Sequence, residues 1–495
     1  QIISPKALGQ KRGFKKRGHS KCPAHTVGLL ILYGSDISLI RCIIIGRIGR
    51  SSSHRYLIHV ISDLHGGGIR GQIIKGCQLF LLLFLGAPIF VALCLPTAAA
   101  ILLFTNNELT VVAMKMFGGI DKFSLLSVPF FILAANIMKN GGIGRRIVDW
   151  AASMVGDTTG GLAFTTEVAS MFFGAVSGSS PSTVVAIGGL LYPGLREKNY
   201  PKGFSLGLIA SSGSVALLIP PSITAIMYCT MTSASVGELF MAGLTAGLVY
   251  GIVFLIYIYL FAKYHKIPKE PKASWGAKGR ATLNALWALG VPIIIIGGIY
   301  SGICTPTEAS GLSCVYALLV SVFIYKEMDL KVFRNTLVAS IKTTAQTMIL
   351  MAAAAAFAWL LTVGGLPQMF SRWMATLDIG ATGFLFILCG YMLVAGMFID
   401  GVSAFMIILP IVLSTVKALD INLIHLGVIM ITTVCIGMFS PPFGLNLFVA
   451  QPIAEAKMGE IYKGVLPFFL ISLVALLIIV LVPGISLALP NFLYH

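Results

Sequence analysis

Two kinds of interruption, one rich in Gly and Ser and one containing Pro-Pro, occur inside apolar stretches, and both occur twice. In the first half of the chain, Gly-Ala-Val-Ser-Gly-Ser-Ser-Pro-Ser-Thr at 174–183 is followed by Ile-Pro-Pro-Ser at 219–222. In the second half, Gly-Met-Phe-Ile-Asp-Gly-Val-Ser at 396–403 is followed by Ser-Pro-Pro-Phe-Gly-Leu-Asn at 440–446. The distance along the chain from the first Gly/Ser-rich motif to the second is nearly the same as the distance from the first Pro-Pro motif to the second. Secondary transporters build ion and substrate sites from paired breaks of this kind, so the pattern predicts an internally repeated helical protein.

The composition places these breaks in a membrane. Hydrophobic residues make up 57% of the 495 residues and charged residues only 11%, whereas a soluble domain carries about 25% charged residues. At roughly 20 apolar residues per helical span, the length leaves room for about ten or more crossings. We therefore predict an all-α polytopic protein embedded in the lipid bilayer.

Residues 1–77 differ from the rest of the chain. They hold thirteen Lys and Arg against two Asp, and no apolar core leads to the small-residue cleavage site of a signal peptide. Basic segments can bind nucleic acid or anionic lipid, but no interleaved aromatic pattern accompanies this charge, so we expect no nucleic-acid partner. We interpret 1–77 as an atypical basic leader that is not part of the fold.

The sequence lacks the common motifs for catalysis, metal binding and ATP hydrolysis. Its nine Cys residues form no Cys-x-x-Cys pair, and buried thiols behave as small hydrophobes. It contains no His-Glu-x-x-His pattern and no Gly-x-x-x-x-Gly-Lys-Ser/Thr phosphate loop. We therefore expect neither an enzyme nor a cofactor.

The first repeat, 78–280, contains the first pair of breaks. Its predicted elements are spans at 79–104 and 123–138, a hairpin at 162–191 broken at 177–181, a helix at 204–231 broken at Pro220-Pro221, a span at 239–262 and a basic loop at 263–280. Short cytoplasmic loops concentrate Lys and Arg, so we expect this loop on the cytoplasmic side.

The second repeat, 281–495, follows the same plan after two additional spans. Its predicted elements are spans at 286–303 and 309–325, an interfacial amphipathic helix at 330–342, a span at 343–363, a hairpin at 384–413 broken at Asp400-Gly401, a helix at 428–450 broken at Pro441-Pro442 and a terminal span at 465–489. The two additional spans return the chain to a second basic stretch, at 326–334, which is therefore also cytoplasmic.

A broken helix in a membrane has polar backbone groups to satisfy. In lipid each unsatisfied group costs on the order of several kcal/mol, so unwound backbone persists only inside protein or beside a wet cavity. Each Pro-Pro pair frees carbonyl groups on the preceding turns. Those oxygens suit a small cation such as Na⁺, whereas half-helix N-termini suit an anionic group. One such break is usually a kink or a packing notch, but two repeated pairs favour a binding site.

Three carboxylates lie near these motifs. Asp400, at the second hairpin tip, is either a direct ligand or the cap of a half-helix. Glu167, in the apolar run before the first tip, is either a coupling carboxylate or a satisfied structural one. Glu308 is expected to belong to a helix N-terminus, with Thr305 as the N-cap and Pro306 in the first turn.

Five motifs, in order, resemble the large membrane subunit of tripartite ATP-independent periplasmic (TRAP) transporters. They are Phe172-Phe173-Gly-Ala-Val-Ser-Gly-Ser-Ser-Pro-Ser-Thr, Leu218-Ile-Pro-Pro-Ser-Ile, Thr305-Pro-Thr-Glu-Ala, Phe398-Ile-Asp-Gly and Ser440-Pro-Pro-Phe-Gly-Leu-Asn-Leu-Phe. The resemblance covers residues 78–490 and excludes 1–77. The family often has Asn near Thr433 and Thr at Ser440. Both departures keep an oxygen-bearing side chain, so they concern ion preference.

The resemblance implies a secondary transporter of the bacterial inner membrane. A Na⁺ gradient would drive it, with Na⁺ as the coupling ion and no other cofactor. A periplasmic substrate-binding protein would deliver an organic acid anion, such as a dicarboxylate, sialic acid or keto acid, and a small membrane subunit would complete the complex. The implied fold is an inverted repeat in which a transport domain, with two re-entrant hairpins and two broken helices, moves against a scaffold like an elevator.

The resemblance also implies which residues form the site. The positions at the hairpin tips and substrate are Ser177, Ser179, Ser180, Pro181, Ser182, Thr183, Asp400, Gly401 and Ser403. The candidates for the Na⁺ site are Ser180, Pro220, Pro221, Ser222, Thr433, Ser440, Pro441, Pro442, Gly444 and Asn446. The break motifs contain no Lys or Arg, so helix N-termini, hydroxyls and bound cations would have to meet a substrate carboxylate.

Other classes of protein share some of these features. A stand-alone Na⁺/dicarboxylate symporter of the elevator type would have paired hairpins but would need no soluble receptor. A channel usually carries charged rings or filter motifs, which the sequence lacks. An embedded enzyme would need a catalytic dyad or a metal cluster. The dependence of uptake on a Na⁺ gradient and on a soluble binding protein separates these classes.

Overall fold

The computed structural model describes residues 82, 87–104, 108–267, 269, 274–377 and 379–494, and the regular elements in these ranges are all helical. The predicted leader, 1–77, lies outside the described residues. The α-helices are α1 (Ile89–Phe104), α2 (Thr110–Ile120), α3 (Ser127–Asn140), α4 (Ile143–Val155), α5 (Gly161–Ser177), α6 (Ser180–Glu197), α7 (Lys202–Ser212), α8 (Ile223–Thr232), α9 (Val236–Tyr264), α10 (Trp275–Tyr300), α11 (Pro306–Leu319), α12 (Leu330–Val363), α13 (Leu366–Thr376), α14 (Ala381–Phe398), α15 (Gly401–Ala418), α16 (Leu423–Gly437), α17 (Leu445–Ala454), α18 (Met458–Leu481) and α19 (Pro483–Tyr494).

The long helices have the length and surface of membrane spans. Within the described residues, eight helical segments are long and apolar enough to cross a bilayer. On α9, Tyr250, Phe254 and Ile258 are fully buried. Ile252 lies two residues after Tyr250 and Ile256 two residues after Phe254, and both are more than half exposed. A helix that is apolar on both its buried and its exposed faces is suited to lipid rather than water. The prediction of an all-α polytopic membrane protein is confirmed.

The order of elements occurs twice along the chain. A short helix, a two-helix hairpin, a broken pair and a long helix follow one another as α4 to α9 and again as α13 to α18. Each short helix is preceded by a left-handed glycine, Gly142 with a φ of 79° and Gly365 with a φ of 73°. Glycine adopts this conformation without steric cost, so the two Gly-Gly turns are equivalent. The inversion of one copy relative to the other stays a prediction.

Two predicted boundaries in the second half are wrong. The amphipathic helix expected at 330–342 and the span expected at 343–363 form one helix of 34 residues, α12. No Gly or Pro interrupts this stretch, and the Thr343 hydroxyl bonds back to the Ala339 carbonyl within the helix. The span expected at 465–489 crosses the boundary between α18 and α19. The helix ends there because Pro483 disfavours a helical conformation in the residue before it.

The predicted N-terminal chemistry around Glu308 is confirmed. The Thr305 Oγ1 accepts a hydrogen bond of 3.3 Å from the Glu308 N–H. The Glu308 carboxylate in turn accepts one of 2.8 Å from the Thr305 N–H. This reciprocal pair is a capping box at the start of α11, and it satisfies two backbone donors that the helix itself cannot.

Glycines let α7 and α18 approach so closely that their backbones are in contact. A Cβ added to Gly464 of α18 would lie 1.9 Å from the Gly203 carbonyl oxygen, and one added to Gly207 of α7 would lie 2.1 Å from the Gly464 oxygen. Small residues permit such close crossings in membrane proteins. The contact joins the first half of the broken α7–α8 pair to the long helix of the second repeat.

We expect Gly464→Ala to destabilise the protein, because the added methyl group overlaps the α7 backbone. Overpacking of this kind costs about 1–3 kcal/mol. Gly459→Ala is the matched control in the same helix, since a Cβ there meets no atom within 4 Å. Thermal unfolding in detergent measures both variants. Equal midpoints for the two would contradict the close crossing.

Candidate functional site

The first hairpin turns sharply at its tip. The first helix of the hairpin, α5, ends at Ser177, and Gly178 follows it with a φ of 56°. Ser179 is extended and precedes α6, which begins at Ser180. The hydroxyls of Ser177 and Thr183 are 2.8 Å apart, and the Thr183 hydroxyl donates to the Ser179 carbonyl at 3.0 Å. These side chains tie the two ends of the turn together.

The first Pro-Pro break is closed by a serine. The Ser222 hydroxyl donates to the Leu217 carbonyl at 2.6 Å and accepts from the Ala225 N–H at 3.3 Å. Ser222 is therefore the N-cap of α8 and also satisfies a carbonyl on the preceding side of the break. Pro220 and Pro221 are joined by a cis peptide bond, and both are buried.

The second hairpin is capped by its carboxylate. Asp400 accepts hydrogen bonds from the N–H groups of Val402 and Ser403 at 3.2 and 3.3 Å, and the Ser403 hydroxyl also donates to it. Of the two roles open to Asp400, the geometry therefore gives it that of the N-cap of α15. The next residue, Gly401, packs against α16, since a Cβ added there would lie 2.5 Å from Val434 Cγ1.

The second Pro-Pro break is closed mainly by its own backbone. The Asn446 N–H donates to the Met438 carbonyl and the Gly444 N–H to the Ser440 carbonyl, each at 2.9 Å. The Ser440 hydroxyl donates to the Ile436 carbonyl at 2.6 Å. These bonds fold the segment into a compact turn between α16 and α17. Its Ser440 and Asn446 side chains are fully buried.

Two of the predicted cation candidates differ in position from the buried Ser440 and Asn446 side chains: Pro442 faces outward from the turn, and Thr433 lies in the preceding helix. Pro442 is exposed, and its carbonyl accepts from the Tyr462 hydroxyl at 2.8 Å. Thr433 is buried within α16, where its hydroxyl donates to the Ile429 carbonyl at 2.8 Å. The Thr433 hydroxyl also lies 3.5 Å from the Cys389 Sγ of α14. The peptide between Pro441 and Pro442 is cis.

The first hairpin tip lies between the two breaks. A Cβ added to Gly178 would lie 3.0 Å from the Pro221 carbonyl oxygen of the first break. On the other side, the Asn446 Nδ2 lies 2.8 Å from the Ser180 Oγ and 2.8 Å from the Ala210 carbonyl. One amide of the second repeat thus joins the first hairpin to α7. The structure brings Ser180 and Asn446 together although they are far apart in sequence.

A cavity of about 350 Å³ lies where the tips and breaks meet. Of the predicted site residues, Ser179, Ser180, Pro181, Asp400 and Gly401 line it. The predicted residues that are not part of its lining are Ser177, Ser182, Thr183, Pro220, Pro221, Ser222, Ser403, Thr433, Ser440, Pro441, Pro442, Gly444 and Asn446. Asp400 is its one ionisable lining residue, and its carboxylate is engaged as a helix cap.

Four helices begin at the wall of this cavity. Its lining contains Ser180, Ile223, Gly401 and Leu445, which are the first residues of α6, α8, α15 and α17. A helix N-terminus carries unpaired N–H groups and a partial positive charge. The lining residues include no Lys or Arg, so any partial positive charge at this wall comes from the helix N-termini, and at α15 the Asp400 carboxylate already accepts from two of the N–H groups. Such an arrangement is suited to an anion.

One wall of the cavity was not predicted from the sequence. Thr343, Gln346 and Thr347 of α12 line it, together with Leu350 of the same helix. Their spacing of three and four residues places them on one face of a helix. A polar stripe of this kind at the start of an apolar span is a sequence signal, but it does not show which way the stripe faces.

A comparison with known protein families agrees with the order of the sequence motifs. The chain matches the family described as "Tripartite ATP-independent periplasmic transporter, DctM component" over residues 77–485. It belongs to this TRAP transporter family. The predicted resemblance is thereby confirmed.

Members of the TRAP family are similar to this chain over most of its length. It is 40% identical over 399 residues to the C4-dicarboxylate TRAP transporter large permease protein DctM of Pseudomonas aeruginosa, covering 80% of this chain and 93% of that protein. It is 32% identical over 410 residues to the sialic acid TRAP transporter large permease protein SiaM of Vibrio cholerae, covering 83% and 96%. Among solved structures, the YdaH transporter of Alcanivorax borkumensis aligns with a TM-score of 0.57 at 13% identity, covering 82% of this chain and 98% of YdaH. That likeness concerns the fold alone.

We expect Ser180→Ala and Asn446→Ala to be coupled energetically, because their side chains interact in a fully buried place. Each single change should cost about 1–3 kcal/mol of stability, and the double variant should cost less than the sum by about 0.5–3 kcal/mol. Unfolding in detergent measures all three.

Ser182→Ala combined with Asn446→Ala is the control. Ser182 is half-buried on the same helix turn, and we expect its effect to add to that of Asn446→Ala. If the coupling energy between Ser180→Ala and Asn446→Ala is no larger than that between Ser182→Ala and Asn446→Ala, the Ser180–Asn446 contact does not stabilise the hairpin tip.

Proposed function

We propose that this TRAP family permease imports an organic acid anion, coupled to Na⁺, after receiving it from a periplasmic binding protein. The substrate class is an organic acid such as a dicarboxylate, a sialic acid or a keto acid. The observation that carries the proposal is the cavity walled by four helix N-termini without Lys or Arg. A carboxylate placed there would lie near the partial positive charge of four helix N-termini. The Ser222 and Asp400 caps already occupy N–H groups of α8 and α15, so α6 and α17 would contribute most of the free donors.

Oxygen atoms beside the cavity support Na⁺ as the coupling ion. The Met438 and Ser440 carbonyls each accept one hydrogen bond in the second break, and a carbonyl oxygen has two lone pairs. Each therefore keeps a lone pair that could face a cation. The Ser180 hydroxyl and the Asn446 amide oxygen lie next to this turn. Unwound carbonyls of discontinuous helices coordinate Na⁺ in other secondary transporters.

The family description supports two protein partners for this chain. The description names a tripartite periplasmic transporter of which the matched family is one component. We propose that a small membrane subunit and a periplasmic substrate-binding protein are the other two components, with the complex in the bacterial inner membrane. The substrate would then be selected first by the binding protein.

We propose that substrate crosses the membrane by an elevator motion of the hairpins against α12. The cavity wall supports this division, because one side is made of hairpin tips and breaks and the other of a continuous helix. The transport domain would carry the four N-termini. The scaffold would contribute the polar face of α12.

Reconstitution tests the proposed function. With the small subunit and the binding protein present, we expect proteoliposomes to take up a labelled organic acid when an inward Na⁺ gradient is imposed. A K⁺ gradient of equal size is the control, and it should drive no uptake. Uptake that needs neither the Na⁺ gradient nor the binding protein would overturn the proposal. Na⁺-driven uptake without the binding protein would identify a stand-alone symporter instead.

We expect Gln346→Leu to raise the KM for the substrate by about fivefold to tenfold, the equivalent of one lost hydrogen bond. Asn335→Leu removes an exposed amide from the same helix outside the cavity and should leave KM unchanged. Initial uptake rates in proteoliposomes measure both. If the two variants have the same KM, Gln346 does not contact the substrate.

A further inference from the structure

Glu167 is a fully buried acid that the site described above does not use. It lies in α5, where its side chain has no exposed surface. Neither carboxylate oxygen has a hydrogen-bond partner, and no ion pair to Glu167 is found among the described residues. A buried carboxylate left in this state is strongly disfavoured. The group must therefore be neutralised by something that it binds.

Polar groups from two neighbouring helices surround this carboxyl. Ser212, at the end of α7, lies near the Glu167 side chain, and its Oγ is also buried without a hydrogen-bond partner. Tyr250 of α9 is within electrostatic reach of Glu167. The Tyr250 hydroxyl lies 3.4 Å from the Ser214 Oγ.

The contacts made by α5 in the two turns after Glu167 are apolar and close. One turn later, Met171 packs on α9, where a Cβ added to Gly251 would lie 2.6 Å from the Met171 Sδ. Two turns later, Gly174 meets the turn after α7, where an added Cβ would lie 2.7 Å from the Ala216 Cα. On the α4 side, Phe173 covers Gly144. Tight packing of this kind leaves little room for a hydrated ion.

A proton fits this place better than a metal cation does. A cation needs several oxygen ligands at once, whereas the unpartnered side-chain oxygens at this place are those of Glu167 and Ser212 alone. A single proton on the Glu167 carboxyl removes its charge without any further ligand, and the neighbouring Ser212 Oγ is the unpartnered oxygen to which the neutral acid would donate after a small side-chain adjustment. We propose that Glu167 is a proton-binding site, where it takes one proton from water and holds it as a neutral carboxylic acid.

The position of this proton site gives it an effect on the first hairpin tip. Ser177, at the tip, lies ten residues beyond Glu167 on the same helix, which is about 15 Å. Loss of the proton at high pH would leave a charge between α5 and α7, and the two helices that carry the tip and the first break would separate. The packing is therefore present at lower pH and lost as the pH rises. This inference does not rest on Na⁺ coupling.

Infrared difference spectroscopy of the purified full chain tests the site directly. We expect the C=O stretch of a protonated buried carboxyl at neutral pH, lost in Glu167→Gln and retained in Glu197→Gln, which changes an exposed acid at the end of the same hairpin. In Ser212→Ala, the band should shift to the frequency of a more weakly hydrogen-bonded acid.

Three results would overturn the proposal. They are the absence of the band in the wild type, its survival in folded Glu167→Gln, and its disappearance at saturating Na⁺ and fixed pH, which would make the ligand a metal cation. If Glu167→Gln does not fold, the Ser212→Ala shift decides the matter, and an unshifted band counts against the site. Because the readout is spectroscopic, a failure here leaves the uptake experiment unaffected.

Discussion

The structure depends on satisfying the backbone wherever an apolar helix stops inside the protein. At the first break Ser222 serves both sides of the interruption, and at the second hairpin Asp400 caps α15. The second break closes on itself through Met438 and Asn446. Each of these hydrogen bonds joins groups that are close in sequence. They are needed because a membrane offers no water to bond the same backbone groups. The cavity lies where these three interruptions meet the tip of the first hairpin.

The backbone also determines the electrostatics of this cavity. Its lining has no Lys or Arg, and the partial positive charges at its wall are those of the first turns of α6, α8, α15 and α17, beside the single carboxylate of Asp400. Main-chain N–H groups are fixed by their helices, so an anion site built from them, as proposed here, would need no long flexible side chains.

The parts of the site that sequence reasoning found are those encoded by local chemistry. Gly178, Pro221 and Asp400 stand at a turn, a break and a cap because few other residues suit those conformations. The helix boundary expected at residue 342 was wrong, since a change in surface polarity reports a change in surroundings and not the end of a helix. Gln346 was missed because a polar stripe on a helix does not reveal the neighbour that it faces.

By itself, the sequence determined the membrane class, the doubled order of breaks and the family, because hydrophobicity and Gly, Ser and Pro act over a few residues. Only the tertiary structure decided that Asn446 meets Ser180, that four helix N-termini line one cavity and that Glu167 is buried without a partner. These are contacts between segments far apart in the chain. Their geometry depends on how whole helices pack, which no local pattern specifies.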